Sequence, residues 1–138
     1  MAKVRDVMTA EPVSITGATS LAEASRIMRD RDIGALIVLE KEDVAGLITD
    51  RDIVVRAIAD SRMPDETPVS DVVSDQLVTI GPEDDLDRVV RTMREHALRR
   101  VPVLEGGRPV GIVSLGDLAV DRDPDSVLGE ISASEPNR

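Results

Sequence analysis

The chain repeats itself once, without a gap, over most of its length. Residues 4–55 align with the stretch beginning at Val69 at a constant offset of 65, since 69 − 4 = 65 and 117 − 52 = 65. An ungapped repeat of this length indicates two copies of one supersecondary unit. We therefore predict an α/β (α+β) fold made of two β-α-β-β-α repeats. Neither copy is long enough to cover both faces of its sheet alone, so we expect the two to pack about a pseudo-two-fold axis.

Hydrophobic periodicity predicts the elements within each repeat. In the first repeat we expect a short strand at 13–15, a helix that begins at Thr19 or Ser20, a strand buried on both faces at 33–39, a further strand at 44–49, and a second helix that begins at Asp50 or Asp52 and extends through Ile58. In the second repeat, 78–80 corresponds to the first strand. The predicted domains are repeat 1 at 1–62, a linker at 63–68, repeat 2 at 69–123, and a partly disordered tail at 124–138.

Each repeat carries a hydroxyl residue followed three places later by an aspartate, where a strand gives way to a helix. These pairs are Thr49 with Asp52 and Ser114 with Asp117. Free N–H groups at a helix start attract anions, and a carboxylate can accept hydrogen bonds from two adjacent sugar hydroxyls. The same spacing also describes a capping box, which only stabilises the helix start. Because the pair occurs twice at matching places, the pattern favours a nucleotide site over a cap alone.

The composition argues against several classes of function. A net charge of −10 and the absence of Phe, Tyr and Trp argue against nucleic acid or an anionic membrane as a partner. There is no cysteine, His96 is the single histidine, and the paired acids lack a nucleophile or base beside them. We therefore predict no metal site and no enzyme. The lack of an apolar leader or a membrane-length apolar run predicts a cytoplasmic protein.

Three motifs together resemble a known family. Residues 32–36, 46–53 and 99–103, the last followed by 111–113, resemble a tandem pair of cystathionine-β-synthase (CBS) domains, or Bateman module. The resemblance covers about residues 4–122 and is strongest to small stand-alone bacterial CBS proteins of the hypoxic-response type. It implies a regulatory protein that binds adenosine nucleotides (AMP, ADP or ATP) or S-adenosylmethionine in two clefts between the repeats. It also implies no required cofactor, a homodimer paired through helices, and an unidentified protein partner.

Two other interpretations remain open. The chain could be a structural dimerisation or protein-interaction module with empty clefts, or a hydrolase or transferase that acts on a nucleotide. The resemblance assigns the residues of two ligand sites, in which Asp52 and Asp117 hold ribose hydroxyls, Thr49 and Ser114 contact phosphate or ribose, and apolar side chains enclose the adenine. One site comprises Ile112, Ser114 and Asp117 with Met8, Val13, Ile33 and Gly34; the other comprises Leu47, Thr49 and Asp52 with Val73, Val78, Leu98 and Arg99.

The two predicted sites differ in charge. Arg99 and Arg100 stand where the first repeat has Gly34 and Ala35, and Arg51 stands where the second repeat has Gly116. Since guanidinium groups suit phosphate oxygens, we expect Arg51, Arg99 and Arg100 to make the Thr49–Asp52 site prefer the more phosphorylated ligand. The Ser114–Asp117 site looks neutral and suits an adenosine-like or sulfonium ligand, or stays empty. Alternatively, these arginines pair with surface carboxylates.

Overall fold

The structure is a computed structural model that describes residues 2–73 and 77–122, together with Gly129, Ile131 and Ala133. The predicted tail at 124–138 therefore lies almost wholly outside the described residues. Within these ranges the fold is mixed α/β, which confirms the predicted class. The strands are β1 (Thr9–Ala10), β2 (Ser14–Thr16), β3 (Ala35–Glu40), β4 (Asp43–Thr49), β5 (Arg100–Glu105) and β6 (Arg108–Ser114). The helices are α1 (Val4–Val7), α2 (Leu21–Arg31), α3 (Asp50–Asp52), α4 (Leu86–His96) and α5 (Leu115–Arg122).

The chain divides into two compact units. One, here called the continuous unit, is Val13–Leu77; the other, the split unit, combines Met1–Pro12 with Val78–Arg138. The continuous unit contains a sheet of order β2-β3-β4, in which β2 is parallel to β3 and β3 is antiparallel to β4. The split unit contains a sheet of order β1-β6-β5, antiparallel throughout. No helix in the described part of the chain has the length and apolar character needed to cross a membrane.

The two units exchange the segments that begin the two sequence repeats. The N–H of Val4 donates to the carbonyl of Asp84 at 3.0 Å, and the N–H of Val69 donates to the carbonyl of Thr19 at 2.8 Å. These contacts are equivalent, because 69 − 4 and 84 − 19 both equal 65. The start of repeat 1 thus folds into the unit built from repeat 2, and the start of repeat 2 folds into the unit built from repeat 1.

Helix α2 follows its sequence signals closely. The Ser20 hydroxyl accepts the N–H of Glu23 at 3.1 Å, which confirms the predicted start, and Asp32 ends the helix in a left-handed conformation. The helix buries Leu21, Ala24 and Met28, as expected from the apolar spacing. With no aromatic residues to fill it, the core of the continuous unit is aliphatic, and α2 packs against residues such as Leu36, Val38 and Ile48.

The strands show the repeat in detail. The first four residues of β3 are buried, as predicted for a strand covered on both faces. A β-bulge falls between Val38 and Leu39 and again between Val103 and Leu104, at matched places in the two repeats. Gly106 and Gly107, with φ of 58° and 81°, form the tight turn between β5 and β6.

The structure corrects the prediction of a strand at 78–80. Only Ile80 pairs there, as an isolated bridge with Val103. In the first repeat the N–H of Ile37 donates to the carbonyl of Val13 at 2.9 Å, but the matching residue of the second repeat is Pro102. Because proline has no N–H to donate, the ladder loses this hydrogen bond.

The second helix of repeat 1 also differs from its prediction. It extends through Ile58 as expected, but α3 gives way to a π-helical turn at Ile53–Ala57 and a 3₁₀ turn at Ile58–Asp60. In the split unit the equivalent helix α5 is regular over Leu115–Arg122. The two copies therefore differ in helix geometry directly after the hydroxyl–aspartate motif.

Candidate functional site

Thr49 and Asp52 cap each other at the end of β4. The N–H of Asp52 donates to Thr49 Oγ1 at 3.1 Å, and the N–H of Thr49 donates to Asp52 Oδ2 at 2.9 Å. This reciprocal pair is a complete capping box. The Asp52 side chain remains 22% exposed, and its Oδ1 atom takes no part in the cap. The motif thus fixes the helix start and still presents one carboxylate oxygen.

Ser114 and Asp117 repeat this geometry in the split unit. The N–H of Asp117 donates to Ser114 Oγ at 3.1 Å, and the N–H of Ser114 donates to Asp117 Oδ2 at 2.8 Å. The capping-box interpretation is therefore confirmed in both repeats. The cap uses Oδ2 here, as in Thr49–Asp52, so Oδ1 takes no part in the cap in either unit.

Free N–H groups do not supply anion attraction at the start of α3. The N–H of Asp50 donates to the Gly34 carbonyl at 3.0 Å, and that of Arg51 donates to Asp50 Oδ1 at 2.8 Å. The N–H of Asp52 is bonded within the capping box. The expectation of open donors is therefore wrong for these three groups. Any attraction for phosphate at this helix start depends on cationic side chains instead.

Strand alternation sets apolar residues beside each motif. Along β4, Leu47 and Thr49 are half-buried while Ile48 between them is fully buried, so the first two lie on one face of the sheet. Along β6, Ile112 and Ser114 are half-buried on either side of buried Val113. Each sheet thus has a partly accessible apolar side chain two positions before the motif's hydroxyl residue, on the same face.

The exchange of leading segments assigns Met8 and Val73 to the units that hold their predicted motifs. Met8 lies in the split unit against Gly111, next to Ile112. Val73 lies in the continuous unit and packs against its core. The other predicted partners belong to the opposite unit from their motif, so their roles in the two sites stay predictions; they are Val13, Ile33 and Gly34 for Ser114–Asp117, and Val78, Leu98, Arg99 and Arg100 for Thr49–Asp52.

Within the split unit, Arg99 and Arg100 lie beside the start of α5. The Arg99 carbonyl accepts the N–H of Leu115 at 2.8 Å, and Arg100 is the register partner of Ser114 across β5 and β6. Leu98, just before them, lines an open groove of about 260 Å³ between α4 and α5. Its other lining residues are Val90, Met93, Arg94, Leu115 and Leu118.

Arg56 is a cation near Asp52 that the sequence analysis missed. Its Nε lies 3.7 Å from Asp52 Oδ1, and its Nη1 donates to the Val72 carbonyl at 3.3 Å. The matching residue in the second repeat is the exposed Asp121. The i,i+4 spacing from Asp52 to Arg56 is visible in the sequence and would have identified the pair. The two motifs therefore differ in charge at two matched positions: Arg51 against Gly116, and Arg56 against Asp121.

Two relatives in sequence span most of the chain. The CBS domain-containing protein YhcV of Bacillus subtilis is 38% identical over 122 residues, which cover 88% of this chain and 86% of that protein. Hypoxic response protein 1 of Mycobacterium tuberculosis is 33% identical over 120 residues, which cover 86% of this chain and 84% of that protein. The second of these bears out the predicted likeness to CBS proteins of the hypoxic-response type.

Solved structures of CBS proteins share the fold. Hypoxic Response Protein I with two coordinated zinc ions matches with a TM-score of 0.76 and 32% identity, covering 86% of this chain and 98% of that one. A hexameric CBS-CP12 protein from bloom-forming cyanobacteria matches with a TM-score of 0.81 and 28% identity, covering 90% of this chain and 73% of that one. The CBS domain pair of MJ0100, in complex with 5′-methylthioadenosine and S-adenosyl-L-methionine, matches with a TM-score of 0.76, covering 86% of this chain and 93% of that one; at 24% identity it shows the fold alone.

Among the described residues of this chain there is no candidate zinc site. Zinc sites in proteins are built from Cys, His, Asp and Glu side chains. The sequence has no cysteine and one histidine. Across residues 2–73 and 77–122, no three side chains of these four types are grouped so that they could hold a metal ion.

The family assignment rests on both halves of the chain. The model of the CBS domain matches residues 4–58 and again residues 69–120. CBS domains are in general regulatory, ligand-binding modules rather than catalysts. With two matched domains, two folded units and two equivalent capping motifs, the chain belongs to the CBS domain family as a tandem pair.

Proposed function

We propose that this chain is a non-enzymatic regulatory protein that binds AMP, ADP or ATP, or S-adenosylmethionine, at the motifs Thr49–Asp52 and Ser114–Asp117. One observation carries the proposal. The same reciprocal cap stands at the same place in both repeats, with an apolar residue two positions earlier on the same face of the strand. A cap alone does not require that neighbour to be accessible, whereas a nucleoside site does.

The chemistry of the motif suits a nucleoside. The carboxylate Oδ1 can accept hydrogen bonds from ribose hydroxyls while Oδ2 keeps its bond to the N–H of the hydroxyl residue. The adenine would lie against half-buried aliphatic side chains, namely Leu47 and Val73 in the continuous unit and Met8 and Ile112 in the split unit. Aliphatic and thioether groups thereby take the role of aromatic rings, which the sequence lacks.

The charges around the two motifs support different ligands. Arg51 and Arg56 flank Asp52, whereas Gly116 and Asp121 flank Asp117. The Thr49–Asp52 site therefore takes the more phosphorylated ligand, and the Ser114–Asp117 site takes an adenosine-like or sulfonium ligand.

An oligomer is part of the proposal. Val54, Val55 and Ile58 expose 59%, 46% and 49% of their surface on consecutive turns of one helical stretch. Apolar side chains grouped in this way are typical of a surface that a partner covers. We assign this surface to a second copy of the chain in a homodimer. The regulated protein partner is unidentified, and the cytoplasmic location stays a prediction.

The test is a calorimetric melt of the purified, nucleotide-free protein with AMP, ADP, ATP or S-adenosylmethionine. A ligand at about 100 times its Kd stabilises by about 2.7 kcal/mol per site. We expect a rise in Tm that Asp52→Ala or Asp117→Ala abolishes for one site each. Asp84→Ala is the matched control, because Asp84 Oδ2 accepts the N–H of Gly81 at 2.8 Å with the same spacing of three residues but outside both motifs.

The second candidate is a structural module with empty sites. It is favoured by the fact that the caps alone give Thr49 and Asp52 a role in stability. In that case all three Asp→Ala variants lower Tm by similar amounts and no ligand raises it. Turnover of ATP, followed as phosphate release, would instead support the enzymatic alternative.

A further inference from the structure

Two arginines, one within the helical stretch that follows Asp52 and one just after it, contact the start of repeat 2. We call residues 69–73 the leader segment; it comprises the 3₁₀ turn Val69–Asp71 with Val72 and Val73. Arg56 Nη1 donates to the Val72 carbonyl at 3.3 Å, and Arg62 Nη2 donates to Asp71 Oδ2 at 2.7 Å. Both contacts join side chains of repeat 1 to a segment that enters the continuous unit from repeat 2.

Arg56 also reaches the motif itself. Its Nε stands 3.7 Å from Asp52 Oδ1, the carboxylate oxygen that the cap does not use. One guanidinium group therefore contacts both the Asp52 carboxylate and the Val72 carbonyl. A planar fork with donors on Nε and Nη can make both contacts, whereas the single ammonium of lysine cannot.

The split unit does not reproduce this bridge. The residue that matches Arg56 is Asp121, an exposed acid that cannot donate to a carbonyl. The helix geometry differs as well, since Arg56 lies in the π-helical turn Ile53–Ala57 whereas Asp121 lies in regular helix. π-Helical turns are rare and occur often at functional sites. The bridge is thus a property of one motif and not of the repeat.

We propose that Arg56 is a positioning residue of the Thr49–Asp52 site, which makes ligand affinity there depend on the order of the leader segment. This inference rests on the proposed function. By holding the Val72 carbonyl, Arg56 restricts the motion of the adjacent apolar Val73 relative to Asp52. A site held in its bound conformation before the ligand arrives gains affinity, because less ordering remains to be done on binding.

The binding test uses the full chain with Asp117→Asn, so that titration calorimetry with AMP and with adenosine reports one site. We expect Arg56→Met to weaken adenosine by about tenfold, the size of one charge-assisted hydrogen bond, and AMP by at least as much. Arg56→Lys keeps the charge but not the two-point contact, so we expect it to weaken binding similarly. Arg88→Met is the matched control, since Arg88 Nε also lies 3.7 Å from an aspartate oxygen at i,i+4 spacing, that of Asp84; its affinity should stay within about twofold of the parent.

A second readout needs no ligand. The N–H groups of Val72 and Val73 are bonded to the Val69 carbonyl at 3.1 and 3.0 Å, so their hydrogen exchange reports the order of the leader segment. We expect faster exchange at both amides in Arg56→Met and no change in Arg88→Met. Unchanged exchange, or full recovery of AMP affinity in Arg56→Lys, would overturn the inference while leaving the proposed function intact. If the parent protein binds neither AMP nor adenosine, the proposed function fails for these ligands and the inference fails with it.

Discussion

Gly111 packs directly against the side chain of Met8. A Cβ at position 111 would stand 2.9 Å from Met8 Cγ and 3.0 Å from the carbonyl oxygen of Thr9. This close approach accompanies the pairing of β1 with β6, in which Ala10 is the register partner of Gly111. The exchanged N-terminal segment therefore packs closely against β6 at Gly111, where an added methyl group would require Met8 and the Thr9 carbonyl to shift.

Gly111→Ala should destabilise the protein by about 1–3 kcal/mol, because the added methyl group crowds both the Met8 side chain and the Thr9 carbonyl oxygen. Denaturant unfolding followed by far-ultraviolet circular dichroism measures this, since the chain has no Trp or Tyr for fluorescence. Gly81→Ala serves as the control, because its Cβ would come no nearer than 3.4 Å to another atom. Adding Met8→Ala to Gly111→Ala should restore only part of the loss, since the contact with the Thr9 carbonyl remains. Equal stabilities for Gly111→Ala and Gly81→Ala would contradict the close packing.

The side-chain hydroxyl of each capping box should contribute more to stability than the methyl group that distinguishes Thr from Ser. Thr49→Ala removes the acceptor for the N–H of Asp52, and we expect a loss of about 1 kcal/mol, with a fall in Tm of about 2–5 °C. Thr49→Ser keeps the acceptor and should lie within about 0.5 kcal/mol of wild type. In the second repeat we expect the same result: Ser114→Ala loses stability, and Ser114→Thr stays close to wild type. If Thr49→Ala and Thr49→Ser lose the same stability, the hydroxyl cap is not what stabilises the helix start.

Local elements were predictable where sequence and packing agree. The start of α2 at Ser20, the buried strand β3 and the turn at Gly106–Gly107 follow from short-range signals that need no tertiary context. The prediction of a strand at 78–80 was wrong because Pro102 lacks the backbone N–H that Ile37 donates in the first repeat, a difference that is visible in the sequence. Comparison of the two repeats residue by residue, rather than by pattern, would have shown it.

Hydrophobic pattern alone does not predict the exchange of leading segments, although the family resemblance grouped Met8 with Ser114–Asp117 and Val73 with Thr49–Asp52. In an ungapped repeat the two leading segments have the same apolar spacing, so local pattern cannot tell which unit each segment joins. The choice depends on long-range contacts such as the bond from Val4 to Asp84, 80 positions apart (84 − 4 = 80). The contact between Arg56 and the Val72 carbonyl is also long-range, so the sequence did not show it. The sequence instead suggested Arg99 and Arg100 as the cations near Thr49.

The exposed apolar surface of Val54, Val55 and Ile58 should control the oligomeric state. Ile58→Glu places a charge in an interface that we assign to a second copy, and burying an unpaired charge is strongly unfavourable. We expect sedimentation velocity to show a shift from dimer to monomer at micromolar concentration. Ser25→Glu, at an exposed position of α2, adds the same charge outside this surface and should leave the dimer intact. A dimer that survives both Ile58→Glu and Val54→Glu would move the interface to another surface.

Arg51 should decide how strongly the Thr49–Asp52 site distinguishes ATP from adenosine. Its side chain is exposed within α3, next to Asp52, and the second repeat has Gly116 in its place. In the Asp117→Asn background, Arg51→Met should weaken ATP by about three- to tenfold at low salt, because one cation near the phosphates is lost. Adenosine carries no phosphate, so its affinity should change by less than about twofold. Rising ionic strength should reduce the difference in ATP affinity between wild type and Arg51→Met, since exposed charges are screened beyond about 10 Å at 0.1 M salt.

Arg91→Met is the control. It removes another exposed helical arginine, far from the motif in sequence, and should change the affinity for neither ATP nor adenosine. If Arg51→Met weakens ATP and adenosine alike, Arg51 acts on the shape of the site and the charge difference between the two motifs does not set the ligand preference.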